Sequence, residues 1–310
     1  MTVRRLPVER NRLYMLLGDL GILLVALIWG TTNVVIRDAL EGITPLWFCG
    51  LRFAIAWMTV MLFFGKKAFL LPKDARLKST LVGMVFICAY LCGAIGLLYT
   101  TAGNQSFIIS MSVVLVPLSV WIITKKFPGW HVVLSVLLCT AGMVGLMLDV
   151  DLSVNLGDLL SFASCVFVTI YILLVQKYVR GADPYALTCW QALGGMLLAV
   201  AAAAIFEPFP AAIPPKAWLA LIHTGTIGFA LTLVIQTVAQ KYTNATHVAI
   251  LLSTSGVFGS VAGVIFIGEP MTFRIFIASA MILAGVMIVE ALPALRKKCR
   301  ENGAKGEQLT

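Results

Sequence analysis

Charge is what this sequence has least of. Lys, Arg, Asp and Glu make up 12% of its 310 residues, about half the share usual in a soluble domain. With 60% hydrophobic residues and a mean hydropathy of +0.97, too little polar surface remains to cover a water-soluble particle. The composition is that of an integral membrane protein. Catalytic and motor signatures are missing as well. No GxxxxGK[ST] phosphate loop, no HExxH and no nucleophile elbow occurs, so neither an ATP motor nor a readable hydrolytic site is encoded. Seven cysteines are present, none in a CxxC pair and six of them within apolar runs. They read as small buried residues, not as disulfides or metal ligands. No cofactor is implied.

The net charge of +9 would suit nucleic acid if it were clustered on a folded face. Instead the basic residues sit in short connections between apolar runs, which excludes a nucleic-acid partner and points to lipid headgroups. A bilayer-crossing helix needs about 20 apolar residues, and ten stretches qualify: 15–36, 43–64, 80–99, 102–124, 130–148, 158–176, 185–206, 217–239, 245–266 and 273–292. The first run is longer than the roughly 7–15 residues of a signal-peptide core, so it reads as a retained span. Putting the N-terminus inside places nineteen Lys and Arg residues in inner segments and only Arg37, Lys216 and Arg274 in outer ones. That bias predicts ten spans with both ends cytoplasmic.

A repeat underlies the ten. Gly18-Asp19-Leu20 recurs as Gly157-Asp158-Leu159, an offset of 139. The same offset sets Pro45 on Pro184, Arg52 on Gln191 and Ala56 on Gly195. Beyond the second span the offset is 143: Tyr99-Thr100 falls on Tyr242-Thr243, Ser110-Met111-Ser112 on Ser253-Thr254-Ser255, and Ala141-Gly142 on Ala284-Gly285. Five spans per copy, an odd number, force the second copy in upside down. The expected fold is therefore an all-α integral membrane protein of ten helices in a 5+5 inverted-topology repeat. The expected segments are a cytoplasmic leader (1–14), two repeats (15–148 and 149–292) and a basic cytoplasmic tail (293–310). Inverted repeats of this kind are an architecture of secondary transporters, which predicts alternating access.

Several motifs, taken in order, resemble the drug/metabolite transporter superfamily, EamA-type branch. They are Trp29-Gly30-Thr31-Thr32-Asn33, Pro45 with Arg52, Tyr99-Thr100-Thr101-Ala102, Gly268-Glu269-Pro270-Met271-Thr272 and Ala284-Gly285. The resemblance implies a carrier for small organic metabolites with a cavity lined mainly by spans 1, 3, 4, 6, 8 and 9, spans 5 and 10 being peripheral. The sequence departs from the family pattern where Lys126 stands opposite Glu269 and where Val168-Thr169 fills the Trp-Gly position of the second copy.

Within the spans, Arg52 stands out, because a charge at that depth costs roughly 2.5–3.5 kcal/mol on insertion scales. It is either an anion contact or a helix clamp on backbone carbonyls or on Glu269, Asp38 or Glu41. Trp29, Tyr90 and Tyr171 offer ring faces that hold cations or merely pack. Asn33, Ser110, Ser112, Gln236, Ser253 and Ser255 are candidate cavity-lining groups, although Ser and Thr also bond to their own helix backbone. Asp19 and Asp158 are expected to cap their helix starts. Asp19 and His223 are the candidate proton sites. The leading function is ATP-independent transport of a small polar or cationic metabolite, such as an amino acid, amine, choline-like quaternary ammonium compound or drug. The setting is a bacterial cytoplasmic (inner) membrane, with the protein a monomer or homodimer among lipids. A nucleotide-sugar or other anionic-metabolite carrier is the alternative, ahead of a membrane-embedded enzyme.

Overall fold

In so apolar a chain the side chains that must be hidden are the polar ones, and the computed structural model is built that way. Leu62, Leu70, Phe63 and Trp130 face outward with 72–82% exposure, whereas Thr188, Thr224, Thr232, Gln236, Thr237, Gln240 and Thr254 are fully buried. A water-soluble protein shows the reverse. The structure describes residues 8–39, 43–96, 99–100, 105, 108–146, 155–210, 212–267 and 272–289. The N-terminal residues 1–7, Asn104, Glu269 and the tail 293–310 lie outside them.

The described secondary structure is helical, with no strand among the described residues. In chain order the helices are α1 (Val8–Ala39), α2 (Pro45–Ala68), α3 (Lys73–Gly96), α4 (Ile108–Thr124), α5 (Trp130–Leu146), α6 (Leu156–Val179), α7 (Pro184–Phe206), α8 (Pro215–Gln240), α9 (Ala245–Phe266) and α10 (Phe273–Val289). Seven of them (α1, α2, α3, α6, α7, α8 and α9) are long and apolar enough to cross a membrane, while α4, α5 and α10 are shorter apolar helices. The expected spans over 102–124, 130–148 and 273–292 each extend into residues outside the described ones.

Helix starts follow the local sequence where a cap is at hand. Asn155 accepts from the Asp158 N–H at 3.0 Å while Asp158 accepts from the Asn155 N–H at 3.1 Å, a reciprocal capping box. Asp183 accepts from Tyr185 and Ala186 ahead of α7, and Asn244 accepts from His247 at the start of α9. Asp19 departs from its counterpart. Helix α1 begins at Val8, so Asp19 lies about three turns inside it, 8% exposed, and does not cap the helix.

Helix α2 has no cap of its own, since the Thr44 side chain makes no capping bond. Its cap comes from the far end of α7. The Glu207 carboxylate accepts from the Leu46 N–H at 3.1 Å and the Trp47 N–H at 3.1 Å, and the Trp47 indole donates back to the Glu207 carbonyl at 3.2 Å. At the opposite end of the pair, the Trp190 indole donates to the Ala68 carbonyl at 3.0 Å. There Phe64 stacks on Tyr185 with ring centroids 4.7 Å apart, and Lys67 meets Asp183 at 3.9 Å. Helices α2 and α7 are thus tied at both ends along their length.

The other helices pack around this pair. Helix α3 lies on α6 and α7, α8 on α2 and α1, α1 on α9, and α4 on α6 and α9. Helices α5 and α10 meet through two glycines. A Cβ at Gly142 would stand 2.6 Å from the Ala278 carbonyl oxygen, and one at Gly285 would stand 2.8 Å from the Ser135 carbonyl oxygen. Two helices are irregular inside. Helix α8 widens into a π-helix over Thr224–Leu231, a distortion common where a helix serves a site. Helix α9 is interrupted by a turn at Ser253 and Thr254.

Candidate functional site

Arg52 enters the interior about two turns into α2 and is 4% exposed. Its guanidinium carbon lies 4.2 Å from the Phe229 ring centroid, 5.3 Å from Phe48 and 5.6 Å from Tyr90. Among the described residues its one hydrogen bond is from Nη2 to the Cys49 thiol at 3.9 Å, and Nε has no partner there. Among the described residues no carboxylate pairs with it. Of the acids suggested by sequence, Asp38, Glu41 and Glu269 have side chains outside the described residues. A guanidinium carries five N–H donors, and each aromatic face compensates only about 0.5–2 kcal/mol of its burial. The group is held in place by rings and left with donors to spare.

The rings form a continuous cluster from five helices. Phe229 tilts on Phe53 at 4.6 Å and meets Tyr90 edge-on at 5.1 Å. Phe86 meets Tyr90 at 5.1 Å and stacks on Tyr171 at 4.3 Å, with Trp29 stacked beyond it at 6.4 Å. The π-helical stretch of α8 carries Phe229 under Arg52. It also presents the Gly228 carbonyl, to which the Trp29 indole donates at 3.1 Å while reaching the Thr232 hydroxyl at 3.2 Å.

Beyond Tyr171 the buried groups become neutral and polar. Tyr171 is 1% exposed, Gln191 4%, and Gln236 and Gln240 are fully buried. The Tyr171 hydroxyl and both amide atoms of Gln236 and of Gln240 have no hydrogen-bond partner among the described residues. Gln191 Oε1 accepts from the Thr237 hydroxyl at 3.4 Å, and Gln176 Nε2 donates to the Gln240 carbonyl at 3.1 Å.

The structure therefore brings Trp29, Arg52, Tyr90 and Tyr171 into one aromatic cluster, and places Gln236 with other buried glutamines. The serines are engaged differently. Ser110 lines a small void with Met111, Val113, Thr140 and Met143, and Ser112 follows it on α4. Ser253 donates to the Ile250 carbonyl at 2.6 Å, which is the self-bonding alternative. The Ser255 backbone carbonyl packs on Gly30. The Asn33 side chain lies outside the described residues. His223 is exposed at the junction between the regular and π-helical parts of α8. Asp19 sits on the face of α1 that also buries Ile22, Val25 and Ala26.

Sequence reasoning passed over Phe48, Phe53, Phe86, Phe229, Gln176, Gln240 and Glu207. The phenylalanines carry no signal in an apolar run. Gln240, four residues after Gln236 and so on one helix face, was legible. Among the described residues no group of His, Cys, Asp or Glu is arranged to hold a metal ion.

Known proteins resemble this chain along most of its length. The profile of the EamA-like transporter family matches it twice, over residues 16–148 and 155–291. An uncharacterized transporter of Archaeoglobus fulgidus is 32% identical over 279 residues, covering 90% of this chain and 86% of that protein. The uncharacterized transporter YoaV of Bacillus subtilis is 23% identical over 286 residues, 87% of this chain and 95% of that one. A crystal structure with 16% sequence identity shares the fold at a TM-score of 0.77, covering 89% of this chain and 96% of the other.

Proposed function

The chain belongs to the EamA-like transporter family, and from that premise we propose that it is a secondary carrier. It moves a small solute bearing a carboxylate by alternating access between two inverted five-helix halves. Arg52 carries the substrate part of the reading. A buried guanidinium with unused donors and no described carboxylate beside it is matched by a carboxylate, which takes two of its N–H groups side by side. The surrounding rings suit the apolar body of an amino acid or organic acid. A quaternary ammonium would meet a fixed like charge in the same box, so the cationic class is disfavoured at this point. A nucleotide sugar would call for several buried basic groups, and besides Arg52 the only Lys or Arg within an expected span is Arg274, at the very start of the tenth.

Support for two inverted halves comes from contacts that recur in pairs at the sequence offsets of 139 and 143. Gly157 packs on Gly96 and Thr100, and Gly18 packs on Ala239 and Tyr242, each residue of the second pair being the repeat counterpart of one in the first or its neighbour. Gly142 packs on Ala278 and Ile282, and Gly285 packs on their counterparts Ser135 and Cys139. The family profile likewise matches once per half. With the charge bias of the connections, this reading puts both termini on the cytoplasmic side of a bacterial inner membrane. The relatives are named as transporters, which favours a non-enzyme.

The test is counterflow in liposomes containing the purified protein and no nucleotide. Labelled amino acids and organic acids are added outside, with an excess of the same unlabelled solute inside. Alternating access predicts transient accumulation of label driven by the unlabelled solute. Uptake that required ATP hydrolysis by this chain, or a flux indifferent to solute on the far side, would rule it out.

A further inference from the structure

Two kinds of buried polar side chain stand in contrast among the described residues. Thr188, Thr224 and Thr232 each donate to the carbonyl four residues back, at 2.9, 2.7 and 2.6 Å, so their own helices satisfy them. Tyr171, Gln236 and Gln240 have no such recourse. The phenol hydroxyl and both amide ends of the two glutamines are buried without a partner among the described residues. They belong to α6 and α8, which are tied together where Gln176 of α6 donates to the Gln240 carbonyl, and α8 meets α7 where the Thr237 hydroxyl donates to Gln191.

An unpaired amide in a low-dielectric interior is costly, and an apolar residue of the same shape would be neutral or better for the fold alone. Several of them on facing helices point to a ligand. Each glutamine offers two donors and an acceptor, and the tyrosine hydroxyl offers one donor with acceptor capacity. That inventory suits a neutral group that both donates and accepts. It gives a full charge nothing opposite to pair with.

The cluster is continuous with the aromatic box. Tyr171 stacks on Phe86, Phe86 meets Tyr90, and Tyr90 lies beneath Arg52. Gln191 also occupies the repeat position of Arg52, so an amide in the second half stands where the first half has its cation. Resting on the carrier reading above, we propose that Tyr171, Gln191, Gln236 and Gln240 form a second solute-contacting pole. It lies on the far side of the ring stack from Arg52 and takes a hydroxyl or carboxamide of the transported solute. The carrier is thereby selective for carboxylates that also bear a neutral hydrogen-bonding group. A site built to hydrogen-bond such a group rejects the analogue that lacks it, because its own buried groups are then left unpaired.

The experiment compares near-isosteric pairs in the counterflow assay, L-threonine with L-valine and L-glutamine with L-norleucine. The native protein is expected to favour the polar member of a pair by about tenfold or more in transport efficiency. Gln236→Leu and Gln240→Leu are expected to bring the ratio towards one. Tyr171→Phe removes only the unpartnered hydroxyl and keeps the ring on Phe86, so it is the variant least able to disturb folding, and it is expected to lower the ratio as well. Thermal unfolding of each variant, run in parallel, separates loss of selectivity from loss of structure. If the native protein moves both members of each pair equally, or if the ratio survives in all three variants, the amide pole is wrong and the carrier reading stands. If the native protein moves none of the four, the carboxylate reading fails and takes the pole with it.

Discussion

Replacing Arg52 by methionine separates a clamp from a ligand-binding cation, because the two roles give opposite signs. Methionine keeps an unbranched stem, packs against rings and carries no charge. Its cost is the loss of three cation–ring contacts. The contact with Phe229 at 4.2 Å is worth about 2 kcal/mol at most, and those at 5.3 and 5.6 Å about 0.5 kcal/mol each. The Cys49 thiol at 3.9 Å adds little. Against this loss of about 3 kcal/mol stands relief from burying an uncompensated cation, itself several kcal/mol and about 2.5–3.5 kcal/mol on insertion scales. The fold is therefore expected to be unchanged or slightly more stable. Binding of a carboxylate solute should fall by about 3 kcal/mol, roughly 150-fold, as expected for a lost buried charge pair. The assay is thermal unfolding of detergent-solubilised protein with and without a panel of amino and organic acids, since a ligand raises the midpoint by mass action. A large drop in the ligand-free midpoint with the ligand-induced shift intact would refute the reasoning and make Arg52 a clamp.

Other expectations concern the scaffold. Glu207→Ala leaves the Leu46 and Trp47 N–H groups without their acceptor and should cost about 2 kcal/mol; Glu207→Gln keeps an acceptor but loses the charge at the helix start and should cost about half as much. Thermal unfolding of the two in that order checks it, and equal midpoints for native and Glu207→Ala would contradict the cap. Gly142→Leu and Gly285→Leu place a Cβ 2.6 and 2.8 Å from facing carbonyl oxygens, so both should lose folded yield to a similar degree, read by size-exclusion chromatography; tolerance at either would mean that α5 and α10 are not in contact there. Trp29→Phe gives up the indole bonds to Gly228 and Thr232 but leaves Thr232 bonded to the Gly228 carbonyl, so a loss of about 1 kcal/mol is expected in denaturant titration.

How much of this was legible depends on whether the signal was local. The helices follow from apolar runs bounded by charge, and Arg52 and Gln236 stood out because polar groups are rare in such runs. The paired aspartates show the limit. Asp19 and Asp158 sit in the same three-residue motif, yet α6 starts at Leu156 with Asp158 in its first turn, whereas α1 continues upstream to Val8 through Arg10 and Arg12. The onset of hydrophobicity marks where lipid begins, and a helix can run past it into the aqueous phase. Glu207 was unreadable as a cap because its helix start lies 161 residues away in sequence. Phe229 was unreadable because one apolar residue among many does not announce that a π-helical stretch will turn it beneath a guanidinium. The break at Ser253 and Thr254 has the same origin: their hydroxyls bond to carbonyls three residues back, a competition that sequence alone leaves open.

The pairing of α2 with α7 constrains how the molecule can work. Two rods fastened at either tip cannot scissor apart without breaking a fastening, so under the proposed alternating access they would form a keel about which the remaining helices rock. A covalent bridge joining the two rods should leave a working protein at full speed, while one joining the keel to α1 or α6 should stall it.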